Sequence, residues 1–171
     1  MTGRGLTTVV IGVGNRFRRD DGAGPVLVDR LNARLAHSGC CDVRTHELDG
    51  EASRIIEAWS GAALAIVVDA ARSGDEPGTL RRYDTDGAGG EGLDCAGASV
   101  AWGAASTHGL GVSEAVELAG ALDRLPQRLI VYAIGGADFS EGTELSPPVG
   151  QAVEEVLDLV LVDLAHTMKD S

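Results

Sequence analysis

Thr8-Val9-Val10-Ile11-Gly12-Val13-Gly14-Asn15, continuing to Asp20-Asp21-Gly22-Ala23-Gly24-Pro25, decides how this chain is read. An apolar run of strand length ends in Gly-x-Gly-Asn, and two carboxylates follow where the next helix should begin. A buried parallel strand that delivers acids to its carboxyl end is the arrangement in which α/β proteins place their chemistry. The same stretch argues against a nucleotide site. A dinucleotide turn needs a third glycine at the helix start, and Phe17 stands there instead; a P-loop needs Gly-Lys-Ser/Thr, which is absent. Asp20 and Asp21 would repel a phosphate, but they suit the positive end of a helix dipole or a bound cation.

Outward from this turn, strands and helices alternate, which is the pattern of an α/β fold. Pro25 sits where helices begin, and Val26, Leu27, Leu31 and Leu35 form an apolar stripe behind it. Asp42 to Leu48 alternates as a short second strand, and Glu51 to Trp59 reads as a helix. Leu64 to Ala70 is a continuous apolar run broken only by Asp69 near its end, as expected of a central parallel strand. Pro77-Gly78 turns the chain into Thr79 to Tyr83, an edge strand expected to run antiparallel. Thr85 to Gly103 is a Gly- and Ala-rich stretch without period, of a length that in a compact domain is usually mobile, functional or both. Val112, Ala115, Val116, Ala119 and Leu122 then mark a helix ending before Pro126, and Arg128 to Ile134 a buried strand. A final helix from about Pro148 carries Val149, Val153, Val156, Leu157, Val160, Leu161 and Leu164 on its inner face. With no repeat and no linker, the expectation is a single doubly wound α/β domain spanning residues 1–171, built on a mostly parallel sheet.

Composition narrows the function. The chain has 171 residues, 44% of them hydrophobic, which suffices for a self-supporting core. A formal net charge of −12 argues against nucleic acid or an anionic membrane as partner. No stretch reads as a signal peptide or a transmembrane span, and Cys40, Cys41 and Cys95 form neither a disulfide framework nor a zinc spacing. A cytoplasmic monomer is the expectation.

Three polar residues recur at one topological place, the end of a strand or the start of the helix after it: Asp21, Asp69 and His108. In an open α/β sheet such ends gather along one edge. Two carboxylates with one imidazole suit a borderline divalent ion such as Ni²⁺ or Zn²⁺, whereas calcium would not need the histidine. Ser106 or Thr107 can cap the helix after His108, and the helix N-terminus then favours a neutral imidazole. Singly, each residue also has a plainer reading: a helix N-terminal carboxylate, an acceptor of loop amides, a capping-turn residue. His37, His46 and His166 read as surface or packing residues. Neither a Gly-x-Ser-x-Gly elbow nor a cysteine with a paired histidine is present to supply a nucleophile.

These segments, taken together, resemble the hydrogenase maturation proteases, the endopeptidases that trim the C-terminus of the [NiFe]-hydrogenase large subunit. Ile11 to Asn15 with Asp20 to Gly24 resembles the opening signature, Leu48-Asp49-Gly50 the second loop, and Val68-Asp69-Ala70 the acidic strand end. Thr107 to Gly111 resembles the histidine segment, and Leu145-Ser146-Pro147 the approach to the last helix. Gly135 to Asp138 departs from the usual pattern, which leaves substrate contacts of that loop open. The resemblance implies a twisted sheet with helices on both faces and an endopeptidase acting on the large-subunit precursor after nickel insertion. It further implies that Asp21, Asp69 and His108 bind the substrate's nickel and carry the catalysis, with other divalent metals able to occupy the site. Asp20 and Asp49 would support that site, while Gly14 and Asn15 shape the turn. The alternative from another class is a non-enzymatic nickel carrier or adaptor using the same ligands.

Overall fold

The computed structural model describes residues 7–38, 42–72, 74–85 and 109–169. Strand β1 (Thr8–Val13) leads through a 3₁₀ turn (Arg19–Gly22) into helix α1 (Ala23–Leu35). Strand β2 (Val43–Leu48), helix α2 (Ala52–Trp59), strand β3 (Leu64–Ala71) and strand β4 (Leu80–Asp84) follow. Helix α3 (Gly109–Ala121), strand β5 (Arg128–Gly135) and helix α4 (Pro147–Lys169) complete the order. The expected elements are all present, with ends shifted by a few residues. Cys40, Cys41, Cys95, most of the Gly-rich stretch, Ser106, Thr107 and His108 lie outside the described residues.

The strands form one sheet in the order β2-β1-β3-β5-β4. β1 pairs in parallel with β2 and β3, and β3 in parallel with β5. β4 is the antiparallel edge, and its partner is β5, not the preceding β3. Because β1 connects outward to β2 while the chain then crosses back to β3, the order reverses between β1 and β3. The crevice outside the carboxyl ends of those two strands is where this architecture leaves room for a ligand.

Side-chain alternation divides the core. Val9, Ile11, Val13, Ala65, Val67, Leu129 and Val131 pack beneath α2 and α3, in contact with Ile55, Trp59, Val112 and Ala115. Val10, Leu64, Ile66, Val68, Ile130, Tyr132 and Ile134 face α1 and α4, meeting Leu27, Leu31, Val149, Val153 and Leu157. Strands covered on both faces must be apolar at nearly every position, which explains the unbroken runs of β1, β3 and β5. Among the described residues no helix is long and apolar enough to cross a membrane.

The antiparallel edge is fastened by charge. Asp84, 1% exposed, takes ion pairs from Arg128 at 2.7 Å and Arg82 at 2.9 Å. Arg82 also reaches Asp163 of α4 at 3.2 Å, and the Tyr132 hydroxyl donates to the same carboxylate at 2.6 Å. Burial, followed by the Asp163 carboxylate, pushes the Tyr132 hydroxyl well above its ordinary pKa, so it stays a donor. Asp84→Ala leaves two guanidinium groups facing each other across the edge, and is expected to cost about 3 kcal/mol in urea unfolding.

Candidate functional site

The site begins with Gly14. Its φ of 140° is one that side chains rarely adopt, and a Cβ there would lie 1.9 Å from the Asp21 carbonyl oxygen. The loop can therefore fold back on itself directly after β1. The Arg18 amide donates to the Asn15 carbonyl at 3.1 Å, and the Asp21 amide to the Arg18 carbonyl at 3.1 Å. Asn15 holds the turn at both ends: its side-chain oxygen accepts the Phe17 amide at 2.9 Å, and its own amide donates to Asp21 Oδ2 at 3.2 Å. Gly12 and Gly24 let the first turn of α1 approach β1 closely, since a Cβ on Gly24 would come within 2.7 Å of backbone atoms of Val13 and Val68. Backbone contact at this spacing brings the 3₁₀ turn, and with it Asp21, against the ends of β1 and β3.

Asp21 and Asp69 are both fully buried, and the structure brings them together at the β1–β3 crevice. Among the described residues neither carboxylate oxygen of Asp69 has a partner in good hydrogen-bond geometry; the Ala70 backbone amide lies near enough to help only weakly. Burial, followed by the neighbouring Asp21 charge, pushes Asp69 well above the usual carboxylate range; the Ala70 backbone amide opposes this more weakly. A buried carboxylate so poorly provided with donors is costly in a folded protein. Its chemistry fits a cation, which would neutralise both carboxylates and fill their coordination. By alternation Asp69 shares the face of Ala65 and Val67, the side covered by α2 and α3.

His108 lies outside the described residues, so among those described no cluster of three His, Cys, Asp or Glu side chains could hold a metal. A Cβ on Gly111, three residues after His108, would meet the Gly50 carbonyl oxygen at 1.8 Å, so the start of α3 lies against the loop after β2. Gly50 in turn sits beside Val13 at the end of β1.

Asp20 serves the site differently from its neighbour. Its Oδ2 accepts hydrogen bonds from the amides of Ala137 (2.8 Å) and Asp138 (2.9 Å) and from the Ser146 hydroxyl (2.9 Å). Its Oδ1 accepts the Ser146 amide at 2.7 Å. Fully buried and provided with donors, Asp20 ties the Asp21 loop to the β5–α4 loop. Sequence reading missed this partner set: Ser146 before Pro147-Pro148 looks like part of the helix approach, but its hydroxyl turns to Asp20 instead. Asp49 spends its oxygens on the Glu51 amide at 3.3 Å and on Arg54 at 3.4 Å, with its side chain 64% exposed. It shapes the entry to α2 at the surface. His37 bonds the Ala33 carbonyl on the exposed end of α1, and His166 is exposed on α4.

The family model for hydrogenase maturation proteases matches residues 27–163, a span that begins after Asp21 and includes Asp69 and position 108. Over 97% of this chain and 75% of the relative, the sequence is 28% identical to the hydrogenase expression/formation protein HupM of Azotobacter chroococcum mcd 1. The fold matches the hydrogenase maturating endopeptidase HybD from E. coli with a TM-score of 0.73 at 19% identity, covering 95% of this chain and 94% of that one. It matches the [NiFe] hydrogenase maturation protease HybD from Thermococcus kodakarensis with a TM-score of 0.66 at 22% identity, covering 91% and 97%. A family match across most of the chain, joined to this fold, establishes that the chain belongs to the hydrogenase maturation protease family, the endopeptidases of hydrogenase maturation.

Proposed function

We propose that this protein removes the C-terminal extension of the [NiFe]-hydrogenase large-subunit precursor after nickel insertion, and that it recognises the loaded precursor through the metal itself. Asp21, Asp69 and His108 would coordinate the substrate's nickel. The observation that carries this reading is Asp69: a fully buried carboxylate, beside a second one, whose oxygens have no partner in good hydrogen-bond geometry among the described residues. Such a pair favours a precursor that presents a cation and disfavours one that does not, which makes cleavage a checkpoint on metal loading.

For the chemistry, Asp21, Asp69 and His108 would hold the substrate's nickel, and the nickel, or a carboxylate beside it, would orient a water onto the scissile carbonyl. The water oxygen bonds to the carbonyl carbon, the carbon–nitrogen bond breaks, and a proton passes to the leaving amine. The hydrolysis then needs no protein nucleophile, consistent with the missing serine and cysteine signatures.

Intact mass of the cognate precursor, nickel-loaded and nickel-free, after incubation with this protein tests the proposal. Loss of a C-terminal peptide from the loaded form alone is the expected result. No loss from either form would make a nickel carrier or adaptor the better reading, and equal loss from both would remove the metal from recognition. Replacing even a residue that only holds a metal ligand in place costs about 10–100-fold. His108→Ala and Asp21→Asn are therefore expected to lower processing by more than roughly 100-fold while circular dichroism is unchanged; normal processing by either folded variant sinks its assignment.

A further inference from the structure

Beside the buried acids stands an exposed aromatic. Phe17 is 65% exposed, the largest exposure of any big apolar side chain among the described residues. It belongs to the same folded-back loop as Asp21. Nothing about its backbone is loose: its amide donates to Asn15 Oδ1 at 2.9 Å and its carbonyl accepts the Gly142 amide at 2.9 Å. Arg18 bridges in parallel to Gly142 on its other side. With the backbone already held and only two side-chain torsions left to order, an aromatic here loses little entropy on binding, which is the profile of an interface anchor.

Arginines are concentrated around it. The chain carries −12 overall, yet Arg16, Arg18 and Arg19 fall within four residues of this loop. Arg16 is engaged by Glu47 and, at 3.2 Å, by Asp29; Arg19 faces Asp138 at 3.5 Å. Arg18 of this loop is exposed, as is Arg72 from the end of β3, and both touch Phe139. Arg18 Nε donates to its carbonyl at 3.3 Å, and the Arg72 guanidinium stacks 4.7 Å from its ring centroid. Arg72 directly follows β3, three residues after Asp69. An aromatic knob with two guanidinium groups, on the segments that carry Asp21 and Asp69, fits an apolar pocket bordered by carboxylates.

We propose that Phe17, with Arg18 and Arg72, docks the hydrogenase large-subunit precursor through an apolar pocket with an acidic rim, independently of the metal. The identity of the partner rests on the function proposed above. The surface supplies affinity for the polypeptide, and the buried acids discriminate the loaded form from the empty one. Docking and metal recognition are thereby separate terms.

The test is the Kd of the full-length protein for the nickel-free precursor, measured by fluorescence anisotropy so that no metal contact contributes. Phe17→Ala is expected to raise Kd about 10–30-fold, with the melting temperature unchanged because the ring is exposed. Arg72→Glu is expected to raise Kd about tenfold at low salt, the difference shrinking as ionic strength rises. Leu122→Ala, at the exposed C-terminal end of α3's apolar pattern, should leave Kd within about twofold. On the loaded precursor, Phe17→Ala should raise KM and spare kcat. Absence of wild-type binding to the nickel-free precursor overturns the proposal, as do a Kd within twofold of wild type for both variants or a fall in kcat alone. Phe17-dependent binding without cleavage of the loaded precursor would instead keep the docking face and reject the proteolytic reading.

Discussion

Asp69→Asn is expected to make the protein more stable and inactive. In the metal-free protein, burial and the neighbouring Asp21 carboxylate hold Asp69 well above its ordinary pKa of 3.8. The folded state therefore keeps a proton that the unfolded state gives up. Stability contributed at this position is complete below the unfolded pKa and is lost as pH rises through the folded one. As pH rises above the ordinary carboxylate range the wild type carries a growing penalty, and asparagine, nearly the same shape, removes it while offering Asp21 an amide donor. Relief of this penalty amounts to about 1–3 kcal/mol, or roughly 2–10 °C in melting temperature for a chain of this size. The gain should shrink as pH falls toward the ordinary carboxylate range. Thermal melts of both proteins across pH 4.5 to 8 read this directly. Equal melting temperatures at every pH would mean that Asp69 is not an uncompensated acid in the folded protein. Processing of the nickel-loaded precursor should drop by more than roughly 100-fold, since an amide is a far poorer cation ligand. Stability withheld in this way is the usual signature of a group retained for function.

Asp20→Ala should act in the opposite sense on stability. It strips the acceptor from three backbone amides and one hydroxyl at once. Hydrogen bonds to a buried charge contribute about 1.5–3 kcal/mol each, and abandoned donors add a desolvation penalty. Because some donors will find water, the expected net loss is about 3–4 kcal/mol, a fall on the order of 10 °C. Asp20→Asn should be milder. One oxygen can still serve the Ala137 and Asp138 amides and the Ser146 hydroxyl, but its amide nitrogen then confronts the Ser146 N–H. Both variants should also slow processing, because Asp20 joins the Asp21 loop to the β5–α4 loop. A melting temperature within 2 °C of wild type for Asp20→Ala would show that the observed hydrogen bonds contribute little.

These two adjacent acids show how far local sequence reaches. Asp20-Asp21 reads as one acidic pair at a helix start, and nothing in the dipeptide separates the roles. The separation comes from partners 117 to 126 residues away, the amides of the β5–α4 loop, which saturate one carboxylate. Asp49 shows the reverse: placed with the site on the strength of its motif, it points its oxygens at Glu51 and Arg54 on the surface.

What the chain determines by itself is whatever repeats locally. Apolar runs of six to eight residues make β1, β3 and β5, a 3.6-residue stripe makes α1 and α4, and Gly14 makes the turn that only glycine admits. Even the position of Asp69 at the end of a buried run, and hence on the ligand-bearing edge, is legible from these patterns. The tertiary structure alone decided which ends become neighbours. β5 inserts between β3 and β4, Gly12 and Gly24 bring α1 down upon the β1–β3 crevice, and Asp21 thereby comes to rest against Asp69. Sheet order and backbone approach depend on which long-range pairings bury the most apolar surface. Periodicity along the chain carries no record of that choice.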